Sequence, residues 1–167
     1  MRVILILAWA MIGLLTVAFH YGPGQKGLVL DDVARYLKSA EQHAEAGEWG
    51  QAASAYEEAL ALLPAEKISQ NRKIRSERAK ALLNSSQLPV AYRDLELLIE
   101  ELREDPDRDP EVFADVQSSF AGARFYLTWL MRLEGLPRDV WEEEIEATRQ
   151  TYRLLAEQAA SRKDAGG

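Results

Sequence analysis

The sequence contains no cysteine and only two histidines among its 167 residues. Without cysteine the chain can form no disulfide, no catalytic thiolate and no cysteine-based zinc site. His20 and His43 lie far apart in the chain, so they make a poor basis for a transition-metal site. We therefore predict no metal site.

Basic residues are fewer than acidic ones, so the formal net charge is −7. General nucleic-acid binding needs a basic surface that neutralises phosphates, so we expect no nucleic-acid partner. The sequence shows no combination of nucleophile, base and orienting group at a spacing that chemistry would need. We accordingly predict no catalytic residues and no cofactor, and a protein that is not an enzyme.

Long apolar runs are missing everywhere except at the N-terminus. Residues 3–19, VILILAWAMIGLLTVAF, carry no charge and are about long enough for a membrane-spanning helix. Arg2 precedes them, and by the positive-inside rule it places the N-terminus in the cytoplasm. Residues 1–21 are thus expected to be a transmembrane anchor or signal-anchor; a cleaved secretory signal is the alternative. This predicts a single-pass protein of a bacterial inner membrane, with its C-terminal domain in the periplasm.

The glycines and the proline of GPGQKG, residues 22–27, disfavour a helix. We interpret residues 22–30 as a Gly/Pro linker between the anchor and the remainder. At the other end, residues 164–167 are expected to be a flexible tail.

From Asp31 onward the apolar residues recur at intervals of three and four, which is the helical period. The sequence therefore predicts an all-α domain over residues 31–163, whose short loops imply consecutive antiparallel hairpins. The fifth helix is predicted to begin at Pro110, because Asp109 can cap it, proline suits the first helical position and Glu111 places an acid in the first turn. The predicted helices cover about residues 31–46, 50–63, 69–84, 89–103, 110–134 and 139–163.

An internal repeat lies in the first half of this domain. Ala40, Gly47, Trp49, Ala52, Tyr56 and Ala59 are followed 39 residues later by Ala79, Ser86, Leu88, Ala91, Leu95 and Leu98. Alanines in both helices of a hairpin let them approach closely, and Gly47 allows a left-handed turn between them. The larger residues fill the gap to the neighbouring hairpin.

The positions Tyr36, Ala40, Gly47, Trp49, Ala52, Tyr56, Ala59 and Pro64 resemble the tetratricopeptide repeat (TPR), a family of stacked helical hairpins. The resemblance covers residues 33–66 and, more weakly, 72–105, where Ser86 replaces the turn glycine. The period exceeds the family's length of about 34 residues, so roughly five extra residues near 67–71 must lengthen a helix or loop. Residues 110–163 are interpreted as a divergent C-terminal hairpin, since terminal repeats are often atypical. The expected fold is a TPR-like α-solenoid.

The resemblance implies no catalytic residues and a concave surface for a peptide or a partner helix. One version of the family grips a C-terminal carboxylate with lysine and asparagine. Lys73, Lys80 and Asn84 lie at such positions in the second repeat, but the first repeat lacks equivalents, so we do not predict that clamp. The six basic residues of segment 67–80 either receive an acidic partner or form a solvated face balanced by the protein's own acids. The acidic run 96–111 either pairs with that segment in a neighbouring copy or is ordinary exposed surface.

The predicted fifth helix carries a second candidate surface, formed by Arg124, Phe125, Tyr126, Trp129 and Arg132. Aromatic and arginine residues are favoured anchors of protein interfaces. Either the sixth helix covers this cluster with Trp141 and Tyr152, or an external partner binds it.

We therefore expect a membrane-anchored TPR-like interaction module, an adaptor or assembly factor on the non-cytoplasmic side, with a protein or peptide partner. The alternative is a permanently docked structural subunit of a membrane protein complex. One anchor followed by a few repeats is similar in layout to bacterial assembly and tolerance factors encoded with larger membrane complexes. The candidate partner-binding residues are Lys73, Lys80, Asn84, Arg124, Phe125, Trp129 and Arg132.

Overall fold

The computed structural model describes Trp9, Met11 and residues 23–165, and the regular structure in these ranges is entirely helical. This confirms the prediction of an all-α chain. The bounds of the last five helices lie within two residues of the predicted ones. The helices are α1 (Pro23–Glu45), α2 (Trp49–Leu62), α3 (Ile68–Asn84), α4 (Leu88–Glu104), α5 (Pro110–Leu133) and α6 (Arg138–Ala165).

The extent of α1 differs from the prediction. The helix is described from Pro23 onward, so it includes residues 23–30, which the sequence had indicated to be a linker. Glycines within a helix cost about 1 kcal/mol each but do not forbid one. Of the predicted tail, residues 164 and 165 end α6 and the last two lie outside the described residues.

The predicted localisation in a membrane is contradicted. Within the part of the chain that the structure describes, none of the helices combines the length and the apolar character needed to cross a bilayer. These helices interleave charged with apolar residues, as amphipathic helices packed on a protein core do. Segment 3–19, which motivated the prediction, lies outside the described residues except for Trp9 and Met11.

Each helix packs against its neighbour in sequence, and α3 also contacts α5. Because the connections are short, sequence neighbours form antiparallel hairpins. Buried apolar residues form two clusters, one mainly between α1, α2 and α3 and the other between α3, α4 and α5. As far as the described residues go, α6 contributes to neither cluster. The helix α3 therefore lies at the centre of the fold, while α6 is attached from outside.

The pattern of burial follows the 39-residue repeat. In four of the six related pairs both members are at least 94% buried, so these equivalent positions pack in the same way in successive hairpins. Two of these pairs consist of alanines, and these small residues allow the close helix crossings that the sequence predicted. The related pairs are Ala40 and Ala79, Ala52 and Ala91, Tyr56 and Leu95, and Ala59 and Leu98.

The turns of the three hairpins share a left-handed residue. Gly47 has a φ of 75°, Gly135 a φ of 74° and Ser86 a φ of 64°. Ser86 is the one non-glycine residue with a positive φ in the described ranges, and it lies 39 residues after Gly47. The second turn therefore keeps the backbone of the first although it lacks the glycine that makes this conformation free of strain.

We expect Ser86→Gly to raise the free energy of unfolding by about 1 kcal/mol, because it removes the steric cost of a side chain in the left-handed region. Ser85→Gly is the matched control, since Ser85 has a φ of −91° and its hydroxyl donates to the Leu82 carbonyl at 3.1 Å. The Ser85→Gly substitution relieves no backbone strain and removes this hydrogen bond, so it should be destabilising. Urea denaturation of the two variants measures the difference. Equal effects in both would contradict a special conformation at Ser86.

The helix α5 begins as predicted and is longer than α3 and α4, with which it shares a core. Asp109 Oδ1 accepts hydrogen bonds from the backbone N–H groups of Glu111 at 2.9 Å and Val112 at 3.4 Å, which hold the pKa of Asp109 below its usual value. From this cap α5 continues for 24 residues, compared with 17 in α3 and in α4. At 1.5 Å per residue it is about 10 Å longer. Within α5, Ala123 is the last residue that belongs to the core shared with α3 and α4. The C-terminal part of α5 therefore extends beyond that core.

Candidate functional site

The basic segment on α3 faces the acidic run of the same chain. Arg72 Nε lies 2.8 Å from Glu101 Oε1, and Arg72 also pairs with Asp105. Arg75 Nη1 lies 2.6 Å from Glu101 Oε2. Burial raises the pKa of Glu101, but the hydrogen bonds from Arg72 and Arg75 outweigh it and lower that pKa. The acidic run therefore neutralises α3 from the adjacent α4, within one molecule rather than between copies.

A further arginine of α3 joins three helices. Arg78 pairs with Asp94 of α4 and lies 3.3 Å, by its Nη2 atom, from Glu57 Oε2 of α2. Its Nε atom is buried and has no hydrogen-bond partner. Most of the positive charge of segment 67–80 is thus used to hold the hairpins together.

The predicted binding residues on α3 are also engaged within the chain. Lys80 Nζ lies 2.8 Å from Asp115 Oδ1 and 2.9 Å from Glu77 Oε1. Burial lowers the pKa of Lys80, but the hydrogen bonds to these two carboxylates outweigh it and raise that pKa. Lys73 Nζ lies 3.5 Å from the carboxylate that caps α5, and Asn84 Nδ2 donates to the Lys80 carbonyl at 2.9 Å. The charges of Lys73 and Lys80 are therefore already balanced.

A groove of about 460 Å³ opens between α1, α2, α3 and the start of α5, and we call it the carboxylate groove. Four of its eight lining side chains are acidic and one is basic. Among the described residues, Glu41 and Glu111 have no ion-pair partner. The groove thus favours cations, which is opposite to the acidic partner considered from the sequence. Its lining residues are Glu41, Tyr56, Lys73, Ser76, Glu77, Glu111, Val112 and Asp115.

The projecting end of α5 exposes five large apolar side chains, which we call the α5 aromatic face. Phe125 and Trp129 are each 54% exposed and Leu133 is 63% exposed, and these three lie one turn apart along the helix. Tyr126 and Leu130 lie beside them and complete the face. Neither α3 nor α4 reaches this part of α5, because the core that they share with it ends earlier.

The helix α6 covers the opposite side of α5 and leaves this face open. Arg124 Nε lies 2.7 Å from Glu144 Oε2, and Thr128 and Thr148 are buried in the same contact. Trp141 lies under Arg132, whose guanidinium carbon is 4.9 Å from the ring centroid. Of the cluster predicted from the sequence, Trp141 thus covers Arg132, whereas Phe125 and Trp129 stay more than half exposed.

The structure thus brings four of the predicted residues together at the end of α5. Arg124 pairs with Glu144 of α6, and Arg132 lies on Trp141 of α6 but is exposed, whereas Phe125 and Trp129 are accessible and belong to the open face. Sequence reasoning did not identify Leu130 or Leu133 as part of this surface, although the spacing of four between Trp129 and Leu133 could have revealed the latter. It also did not identify Tyr56 and Glu111 as groove residues, since that requires knowing which helices meet.

No family model, curated protein or solved structure matches the chain. The function is therefore argued from the geometry of the two surfaces.

Proposed function

We propose that the protein is a non-enzymatic protein–protein interaction module, built as a TPR-like α-solenoid and acting as an adaptor or assembly factor. The observation that carries this proposal is the α5 aromatic face. The solenoid is supported by the equivalent buried positions of successive hairpins, by the left-handed turns at Gly47 and Ser86, and by the contact between α3 and α5.

The exposure of the face supports a partner. The hairpin of α5 and α6 presents an apolar stripe of Phe125, Trp129 and Leu133, each more than half exposed among the described residues. A contiguous apolar patch with aromatic anchors is typical of a protein interface.

The shape and charge of the face favour one helix of a partner protein. An amphipathic helix with apolar residues at intervals of three and four would pack along the stripe. Arg132 lies at the edge of the face and forms no ion pair with any described residue, so an acidic side chain on the partner helix would complement it. The five side chains expose on the order of 500 Å².

Crosslinking followed by an affinity measurement tests the proposal. A photoreactive residue at position 133 of the full-length chain, used in cells, should crosslink one protein that the same residue at position 97 does not. With that protein purified, Trp129→Ala should weaken binding at least tenfold, because a central aromatic anchor is lost. Arg132→Glu should also weaken it, by setting like charges against each other.

Leu97→Ala is the matched control, since Leu97 on α4 is 54% exposed, the same fraction as Trp129. Its substitution should change the affinity less than twofold. Equal losses in the Leu97 and Trp129 variants would contradict docking at α5. Crosslinks from position 133 to a second copy of the chain would instead identify the face as a dimer interface and overturn the adaptor.

A further inference from the structure

The carboxylate groove is lined by a tyrosine that is otherwise buried in the core. Tyr56 is only 6% exposed, its ring packs in the cluster of α1, α2 and α3, and its side chain lines the groove. No described residue forms a hydrogen bond with its hydroxyl group. Glu41 and Glu77 line the same groove as Tyr56. Burial raises the pKa of Tyr56, and the charges of these two glutamates raise it further.

The acidic groups around this hydroxyl are spread over three helices. Glu41 comes from α1, Glu77 from α3, and Glu111 from the first turn of α5. Across the described part of the chain, no three acidic or histidine side chains converge closely enough to hold a metal ion. The groove therefore suits an extended cation with several hydrogen-bond donors rather than a compact metal ion.

A guanidinium group matches this arrangement. Arginine carries five N–H donors in a planar fork, so one group can reach acceptors in different directions, whereas an ammonium group is a compact point charge. The acceptors still available are the carboxylates of Glu41 and Glu111 and the hydroxyl oxygen of Tyr56. Lys73 does not fill the site, because it is paired with the cap of α5 and its side chain is 58% exposed.

We propose that the carboxylate groove binds an arginine side chain of a peptide segment, with the guanidinium between Glu41 and Glu111 and beside the hydroxyl of Tyr56. This site goes beyond the proposed function, because it is separate from the α5 aromatic face. Glu111 and Phe125 are 14 residues apart on one helix, which is about 20 Å.

The test is a titration of the full-length chain with the acetylated, amidated tripeptide Ala-Arg-Ala, followed through backbone amide chemical shifts. Saturable shifts should appear at the groove residues of α1, α3 and α5. The same peptide with citrulline instead of arginine keeps the shape but loses the charge, so it should bind at least about fivefold more weakly. Glu41→Gln combined with Glu111→Gln should weaken the arginine peptide by about fivefold or more, and Tyr56→Phe by about two- to threefold.

Glu100→Gln combined with Glu143→Gln is the matched control, because both side chains are exposed and the net charge changes by the same amount. It should leave the affinity within about twofold, since exposed charges at a distance are screened. Circular dichroism establishes that each variant keeps its fold. Equal weakening by both double variants would show only general attraction to an acidic protein and overturn the proposal. Chemical-shift changes confined to residues outside the groove would also overturn the proposal. So would the absence of any change at peptide concentrations up to about 10 mM.

Discussion

Leu95→Ala is expected to lower the free energy of unfolding by about 2–5 kcal/mol. Leu95 is 0% exposed and belongs to the cluster that joins α3, α4 and α5. Removing most of its side chain forfeits the transfer of apolar surface from water and leaves a cavity, because surrounding helices relax only in part. Guanidinium denaturation followed by circular dichroism measures the loss.

The control for this substitution lies two residues further along α4. Leu97 is 54% exposed, so Leu97→Ala should change the stability by no more than about 0.5 kcal/mol. The comparison holds the residue type and the helix constant and varies only burial. If the two variants lost similar stability, the rotation of α4 in the structure, and the repeat position of Leu95, would both be wrong.

The sequence predicted most helix bounds because their causes are local. Gly47 and Gly135 end helices by adopting a left-handed backbone, and Pro110 with its capping aspartate starts one. The N-terminal part of α1 was not predicted, because the glycines near Pro23 were taken to exclude a helix, whereas they only weaken one.

The two surfaces show where sequence reasoning stops. The basic segment 67–80 and the acidic run 96–111 are both evident in the sequence, but whether they meet depends on how α3 and α4 are rotated against each other. The cluster around Trp129 was identified by composition. Its exposure was not predictable, because it depends on how far α5 extends beyond α3 and α4 and on which side α6 packs.

The pairing of α3 with α4 leads to the other large expected effect. Arg72→Gln should lower the free energy of unfolding near neutral pH by about 2 kcal/mol, because it removes a charged hydrogen bond to Glu101. The Arg72 side chain is 13% exposed, whereas that of Glu101 is 39% exposed, so water screens part of the interaction. Arg93→Gln is the control, since Arg93 is exposed and forms no ion pair with the described residues.

The loss should also depend on pH in a defined direction. The folded-state pKa of Glu101 is lowered from its ordinary value of 4.5. The pKa of Asp105 is also lowered, by the hydrogen bond from Arg72 first and then by the N–H of Asp107. A lowered carboxyl pKa contributes stability that is complete above the unfolded-state value and is lost as the pH falls through the folded-state value. The difference between the wild type and Arg72→Gln should therefore be constant from neutral pH to about 5 and shrink in more acidic solution.

Urea denaturation of both proteins at a series of pH values checks this dependence. Near pH 2 the carboxyl groups are largely protonated, so only the packing of the Arg72 methylene groups should still distinguish the two proteins. A difference that stays at its neutral value there would assign the role of Arg72 to packing instead of to its ion pairs. In that case the charges of α3 would not be what holds the second hairpin in place.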